Sequence, residues 1–174
     1  VYDGWNRLVG VDANHDGDLY DAGDVRYRYD GTGRRITKFT DNADDGTNAS
    51  GSTEEYYQNE QNQVLEVRTG TVTGGVKTIN ANPKERYLWD ANYIDEPAMV
   101  ELDTNTDGTR DYRLWPTTDA NHNVTGLLSD KGVTVERYAY TPYGERIVLN
   151  GDQNYANTGP DADGAEYTVD TNGS

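Results

Sequence analysis

Two stretches of the chain place side-chain oxygens at alternate positions around a turn. The first is Asp12-Ala13-Asn14-His15-Asp16-Gly17-Asp18-Leu19-Tyr20-Asp21-Ala22-Gly23-Asp24, with carboxyl or amide oxygens at loop positions one, three and five and a turn glycine at six. Hard divalent cations take six to eight oxygen ligands, so Asp12, Asn14, Asp16, Asp18, Asp21 and Asp24 are expected calcium ligands. Position twelve, where a helix-flanked calcium loop carries a bidentate Glu, is Gly23, which leaves Asp21 or Asp24 to close the shell from another angle. The second stretch, Asp103-Thr104-Asn105-Thr106-Asp107-Gly108-Thr109-Arg110-Asp111, is shorter and offers Asp103, Asn105, Asp107 and Asp111. Asp, Asn and Gly are also good turn formers, so a solvated hairpin is the alternative for both. For the third alternating set, Asp119, Asn121 and Asn123, turn formation is the preferred reading.

Other chemistry is thinly represented. The chain has no Cys, no Gly-x-Ser-x-Gly elbow and no phosphate-cradling glycine loop ending in Lys. His15 and His122 stand apart from any nucleophile and are expected to be structural. Asn48-Ala49-Ser50 and Asn123-Val124-Thr125 match the short N-glycosylation acceptor pattern. With 31 acidic residues against 15 Lys plus Arg, the formal charge is −16, which repels nucleic acid and anionic membrane surfaces. No apolar run reaches the roughly 18 residues of a membrane span. The chain opens on Val1 and not Met, as expected of a processed product or a piece of a longer polypeptide.

The elements that must carry the loops are strands. Leu, Ile, Val and Phe make up only roughly a sixth of the 174 residues, while 14 Tyr and 3 Trp supply most of what can be buried. That composition suits a thin sheet better than a thick core. Apolar and polar residues alternate in Val25-Arg26-Tyr27-Arg28-Tyr29, in Val64-Leu65-Glu66-Val67 and in residues 133–140, and Gly/Asn/Asp clusters separate such runs. The expected class is all-β. A unit recurs in which an aromatic pair meets an Asp/Gly turn, then a basic residue and an apolar strand. It starts at Tyr2-Asp3-Gly4-Trp5-Asn6-Arg7 and is clearest at Tyr27-Arg28-Tyr29-Asp30-Gly31-Thr32-Gly33-Arg34-Arg35-Ile36. Tyr57-Gln58-Asn59-Glu60 is a degraded copy, followed by Tyr87-Leu88-Trp89-Asp90, Tyr112-Arg113-Leu114-Trp115 and Tyr138-Ala139-Tyr140-Thr141-Pro142-Tyr143-Gly144-Glu145-Arg146. The spacing, roughly 25 to 30 residues, lies in the range of repeat arrays. A repeat array over 1–149, a Gly/Asn/Asp-rich connecting segment over 150–165 and a partial final repeat over 166–174, from Tyr167-Thr168-Val169-Asp170, are expected, with neither end capped.

These units resemble the RHS/YD-repeat family, whose repeats centre on a Tyr-Asp pair followed by a Gly-Arg turn; Tyr29-Asp30 with Gly33-Arg34-Arg35 is the closest copy. Tyr87-Leu88-Trp89 with Tyr93-Ile94-Asp95, then residues 119–125 and 135–144, are similar to the segment leading into that family's associated core region. The resemblance implies β-hairpin repeats spiralling into a strip or shell in a secreted or cell-surface protein. No counterpart of the family's self-cleaving core follows Asn150, so no autoproteolytic residue carries over. The second acidic stretch likewise resembles calcium loops of extracellular repeat proteins. The functional expectation is a non-enzymatic, calcium-supported structural scaffold that joins copies of itself, or the rest of a longer parent chain, through terminal strands. The alternatives are a glycan-recognition module presenting Tyr, Trp5 and Trp115, and a wall fragment of a toxin-enclosing shell.

Overall fold

A computed structural model describes residues 1–44, 46–91 and 96–150. Tyr93-Ile94-Asp95 and everything after Asn150, including the final repeat strand and most of the connecting segment, lie outside the described residues. Asn150 itself ends the last strand. The class is all-β, and no helix occurs among the described residues. The strands are β1 Gly10–Val11, β2 Val25–Tyr29, β3 Arg35–Asp41, β4 Gly51–Gln58, β5 Val64–Thr73, β6 Val76–Ile79, β7 Glu85–Trp89, β8 Pro97–Leu102, β9 Tyr112–Thr118, β10 Val124–Ser129, β11 Thr134–Tyr140 and β12 Arg146–Asn150. They pair as one open antiparallel sheet in chain order, with β6 beside β5 and off the path that runs from β5 to β7. Short turns make this order natural, since an antiparallel partner needs only a hairpin connection.

The chain divides into two compact units, Val1–Arg86 with Asp103–Thr109, and Tyr87–Leu102 with the residues from Arg110 onward. In the first unit, the turns Asp3–Arg7, Asp30–Arg34 and Asn59–Gln63 share one geometry. The side-chain Oδ1 of the first residue accepts the N–H groups of the third and fifth: Trp5 and Arg7 on Asp3 at 2.9 and 3.0 Å, Thr32 and Arg34 on Asp30 at 2.9 and 3.0 Å, Gln61 and Gln63 on Asn59 at 3.0 Å each. The remaining side-chain atom meets the fifth side chain. Arg7 and Arg34 donate Nε to Asp3 and Asp30 at 2.8 and 2.6 Å, and Asn59 Nδ2 donates to Gln63 Oε1 at 2.7 Å. The fourth residue is left-handed, with φ of 60° at Asn6, 88° at Gly33 and 67° at Asn62, which suits Gly and Asn. In the second unit Asp119–Asn123 repeats the pattern, and Ser129–Val133 and Thr141–Glu145 keep the backbone with a hydroxyl accepting the fifth N–H. The Tyr112-Trp115 copy expected from the sequence lies inside β9; the turn of that repeat is at Asp119, further along the chain.

A second regularity ties one hairpin to the previous one. The residue just before a turn donates its side chain to the carbonyl just after the preceding turn at the same end of the strands. Tyr29 Oη bonds Leu8 O at 2.6 Å and Gln58 Nε2 bonds Arg35 O at 3.0 Å in the first unit; Tyr140 Oη bonds Val124 O at 2.7 Å in the second. Guanidinium groups reinforce these ties: Arg7 lies over the Tyr29 ring at 4.8 Å and Arg35 over Tyr56 at 4.9 Å. Arg34 pairs with Asp30 of its own turn and passes Nη1 to Asn59 O at 2.9 Å, while Arg146 stacks on Tyr138 of its own hairpin at 5.3 Å.

Little apolar area stands behind this polar framework. Among the described residues Val67 and Pro83 are the buried aliphatic or aromatic side chains, whereas Asp24, Thr37, Asp41, Thr53, Gln63 and Asp103 are buried polar ones. Burying such groups is costly unless they are bonded, and among the described residues no buried side-chain nitrogen or oxygen lacks a partner.

Removing the Tyr29 hydroxyl should therefore cost stability although the ring stays. Tyr29→Phe is expected to lose about 0.5–1.5 kcal/mol in urea unfolding, and Tyr143→Phe, at a 99% exposed ring, to lose nothing measurable. The Arg7 and Arg34 N–H groups, first, and then the Arg side chains hold the carboxyls of Asp3 and Asp30 below the ordinary Asp range; Asn123, through its amide and then its N–H, does so at Asp119. A depressed folded pKa contributes stability that is present above the unfolded value, about 3.9, and is lost as pH falls through the folded one. Melting temperature should thus decline on acidification below about pH 4. Asp30→Asn should lose a smaller part of its stability there than wild type, and at pH 7 should be less harmful than Asp30→Ala, because Asn59 already makes this turn with an amide.

Candidate metal centre

The loop between β1 and β2 is built by its own acidic residues. Asp12 accepts the His15 and Gly17 N–H groups, Asn14 Oδ1 that of Asp16 at 3.1 Å, Asp16 Oδ1 that of Asp18 at 3.0 Å and Asp18 Oδ1 that of Tyr20 at 2.9 Å. This succession of short-range bonds coils the chain so that Asp16, Asp18 and Asp21 each offer an oxygen within 4.8 Å of the others. Asn14 Nδ2 bridges Asp16 and Asp21 at 3.2 and 2.7 Å. Asp24 is placed elsewhere. It is 1% exposed, accepts the Ala13 and Asp21 N–H groups at 2.8 and 3.0 Å, and clamps the two ends of the loop. Its carbonyl accepts the N–H of Asp41, which is equally buried and whose own carbonyl accepts the Gly23 N–H. Of the expected ligands, then, Asp16, Asp18 and Asp21 gather with Asn14 beside them, Asp12 is turned to the loop backbone, and Asp24 is withdrawn from solvent.

The loop between β8 and β9 repeats the first half of this geometry. Asp103 accepts the Asp107 and Gly108 N–H groups at 3.2 and 2.9 Å, Asn105 Oδ1 that of Asp107 at 3.2 Å, and Asp107 Oδ1 that of Thr109 at 2.6 Å. His15 and Thr106 share a left-handed φ, 64° and 59°, and Gly17 and Gly108 follow with 103° and 93°. The stretch Asp103–Thr109 seats on the first unit, with Asp103 N–H on Lys84 O at 2.8 Å and Asn82 Nδ2 on Thr106 O at 3.2 Å. Thr109 and Asp111 stand where the first loop has Asp18 and Tyr20. Among the described residues no three carboxylates converge in this second loop as they do in the first.

Electrostatics separates the members of the cluster. Asp16 is held below the ordinary range by the Asp18 N–H and then by its interaction with the Asp21 side chain. Asp21 is pushed up: the Asn14 amide lowers it, but the Asp16 carboxyl, burial and the charges of Asp16 and Asp18 outweigh that. Three carboxylates at this spacing repel one another, and a divalent cation is the group whose charge would relieve the repulsion.

The remaining candidates have structural partners. His15 is exposed in the first loop, and His122 holds Glu96 through Nδ1 at 2.9 Å while Thr118 holds the other Glu96 oxygen at 2.7 Å. That His–Glu pair was not legible in the sequence, where the two lie far apart. The Asn123 amide donates to Asp119 at 3.0 Å. The Asn48 amide, turned so that both its atoms are satisfied, gives its nitrogen to Asp41 Oδ2 and Leu19 O and its oxygen to Arg26. Both glycosylation acceptors are thus committed within the fold. Among the described residues no helix is long and apolar enough to cross a membrane. The chain matches no protein-family model and no curated protein.

Calcium should bind the first loop more tightly than the second. In terbium luminescence or calcium titration, Asp16→Asn and Asp18→Asn should weaken the tighter site and Asp107→Asn should leave it unchanged. Asp21→Asn should have opposite effects in the two conditions, raising melting temperature in chelator by relieving repulsion and abolishing most of the rise expected of wild type in calcium.

Proposed function

We propose that this chain is a non-enzymatic structural scaffold of the RHS/YD-repeat type, calcium-stabilised and working outside the cell or at its surface, where hairpins stack into a fibre or shell wall. The observation that carries the reading is the hairpin-to-hairpin bond from the residue before one turn to the carbonyl after the previous one, because that relation can be extended by any further hairpin of the same kind. Tyr2 occupies the donor position of the first turn and is 65% exposed. It supports a partner hairpin at the β1 side, from the parent chain or from a second copy. A sheet edge left uncovered invites such pairing. Calcium in the first acidic loop would stabilise the folded form by mass action, about 2.7 kcal/mol at a hundredfold excess over Kd.

Glycan recognition is the second reading, favoured by the exposure of Trp5 at 83% and Trp115 at 40%. Trp115 is also oriented, its indole N–H on Asp130 Oδ1 at 3.1 Å. Sedimentation velocity and electron microscopy of the purified chain, with calcium and with chelator, separate the two. Concentration-dependent assembly that Tyr2→Phe weakens is expected of the scaffold. Compact monomers at every concentration, together with hits on a glycan array lost in Trp5→Ala or Trp115→Ala, would replace it with the recognition module.

A further inference from the structure

The hairpin of β5 and β6 curls back over one face of the first unit. At its tip the Gly75 N–H donates to Ala49 O at 3.0 Å, and Lys77 on β6 reaches Glu55 Oε1 on β4 at 2.7 Å. A concavity of about 460 Å³ lies against this hairpin, within the size range of small-molecule sites. Phe39 supplies its aromatic surface, lying so close over Gly51 that a Cβ there would come within 2.4 Å of the ring. Val9 and Val72 extend the apolar part. Cross-strand register sets Arg26 beside Phe39 and Arg28 beside Thr37, on the same face of the sheet.

The charge of this space runs against that of the chain. With 31 acidic residues to 15 basic ones overall, its lining has Arg26, Arg28 and Lys77 and no carboxylate. Two of the three cations are already engaged. Lys77 is paired with Glu55, which Thr37 also holds at 3.1 Å, and Arg26 stacks over Tyr20 at 4.5 Å and meets the Asn48 amide oxygen at 2.9 and 3.1 Å. Arg28 is exposed, and among the described residues no carboxylate pairs with it.

We propose that this concavity binds a small carboxylate-bearing sugar, a hexuronate, with the flat face of its ring on Phe39 and its carboxylate on Arg28. An apolar floor with a few placed polar groups is the usual makeup of a small-ligand site, and a planar guanidinium suits a carboxylate bidentately. The surrounding net charge of −16 disfavours a long polyanion and leaves a single charged unit as the better fit. The two residues proposed to hold the ligand, Phe39 and Arg28, lie outside both acidic loops and are other than Trp5 and Trp115, although Arg26 and Asn48 touch Tyr20 and Leu19 of the first loop; failure of the proposal would leave the scaffold reading intact.

Calorimetric and NMR titrations in calcium-free buffer test it, with glucuronate and galacturonate against glucose and inorganic phosphate. Saturable uronate binding is expected, with amide shifts at Phe39 and Arg28, weakened about tenfold by Arg28→Gln and to a smaller extent by Arg28→Lys, which keeps the charge but loses the bidentate fork. Circular dichroism melting of both variants should match wild type, since Arg28 is exposed. Absence of saturable binding, equal affinity for glucose or for inorganic phosphate, or uronate binding indifferent to Arg28→Gln would overturn the proposal.

Discussion

A side-chain oxygen that accepts two backbone N–H groups at the start of a tight turn, as at Asp3, Asp30, Asn59 and Asp119, is the interaction on which the rest of this protein depends. Tight hairpins leave N–H groups facing inward, where neither the ladder nor water reaches them well. Asp3, Asp30, Asn59 and Asp119 satisfy those groups and fix the fourth residue in the left-handed region. The turn thereby sets where each strand begins, and the strand sets which carbonyl the next aromatic or amide side chain can reach. Local polar saturation and the tie between hairpins are two consequences of one geometry.

Such a framework is needed because the apolar contribution is small. With Val67 and Pro83 the only buried aliphatic or aromatic side chains among the described residues, ordering must come from pairing, from rings laid along the sheet and from guanidinium groups stacked on them. Buried carboxylates fit the same logic. Asp24 and Asp41 are enclosed at the base of the first acidic loop, and Asp24 takes N–H groups on both oxygens, as a buried charge requires.

Strand alternation and the Tyr-Asp spacing were legible in the sequence because each is a local property, one of period two and the other of a five-residue turn. Gln58 and Asn59 show how far the pattern tolerates substitution: an amide replaces both the tyrosine hydroxyl and the aspartate oxygen and keeps both bonds. The repeat at Tyr112 was placed too early, since the aromatic pair there belongs to mid-strand and the turn residue is Asp119. Membership of the acidic cluster was only half visible. Alternation brings Asn14, Asp16 and Asp18 to one side, but Asp24 turns its carboxylate to the Ala13 and Asp21 N–H groups, while its carbonyl takes the N–H of the distant Asp41. The cationic concavity was hidden altogether, because Arg28 and Lys77 are brought to one space by the curl of β5 and β6 and by no feature of their own neighbourhoods.

The acidic loops extend the same chemistry beyond the hairpins. Both begin with the oxygen-to-N–H succession of a tight turn, and the first adds Asp18 and Asp21 so that charge accumulates at one point. The most direct measurement of the central claim is a carboxyl-carbon NMR titration of the folded protein, following Asp3, Asp30 and Asp119. All three are expected to titrate below the ordinary Asp value of about 3.9, with Asp30 the lowest of the three. Ordinary titration of all three, as for solvated side chains, would contradict the claim that these carboxylates hold the turns.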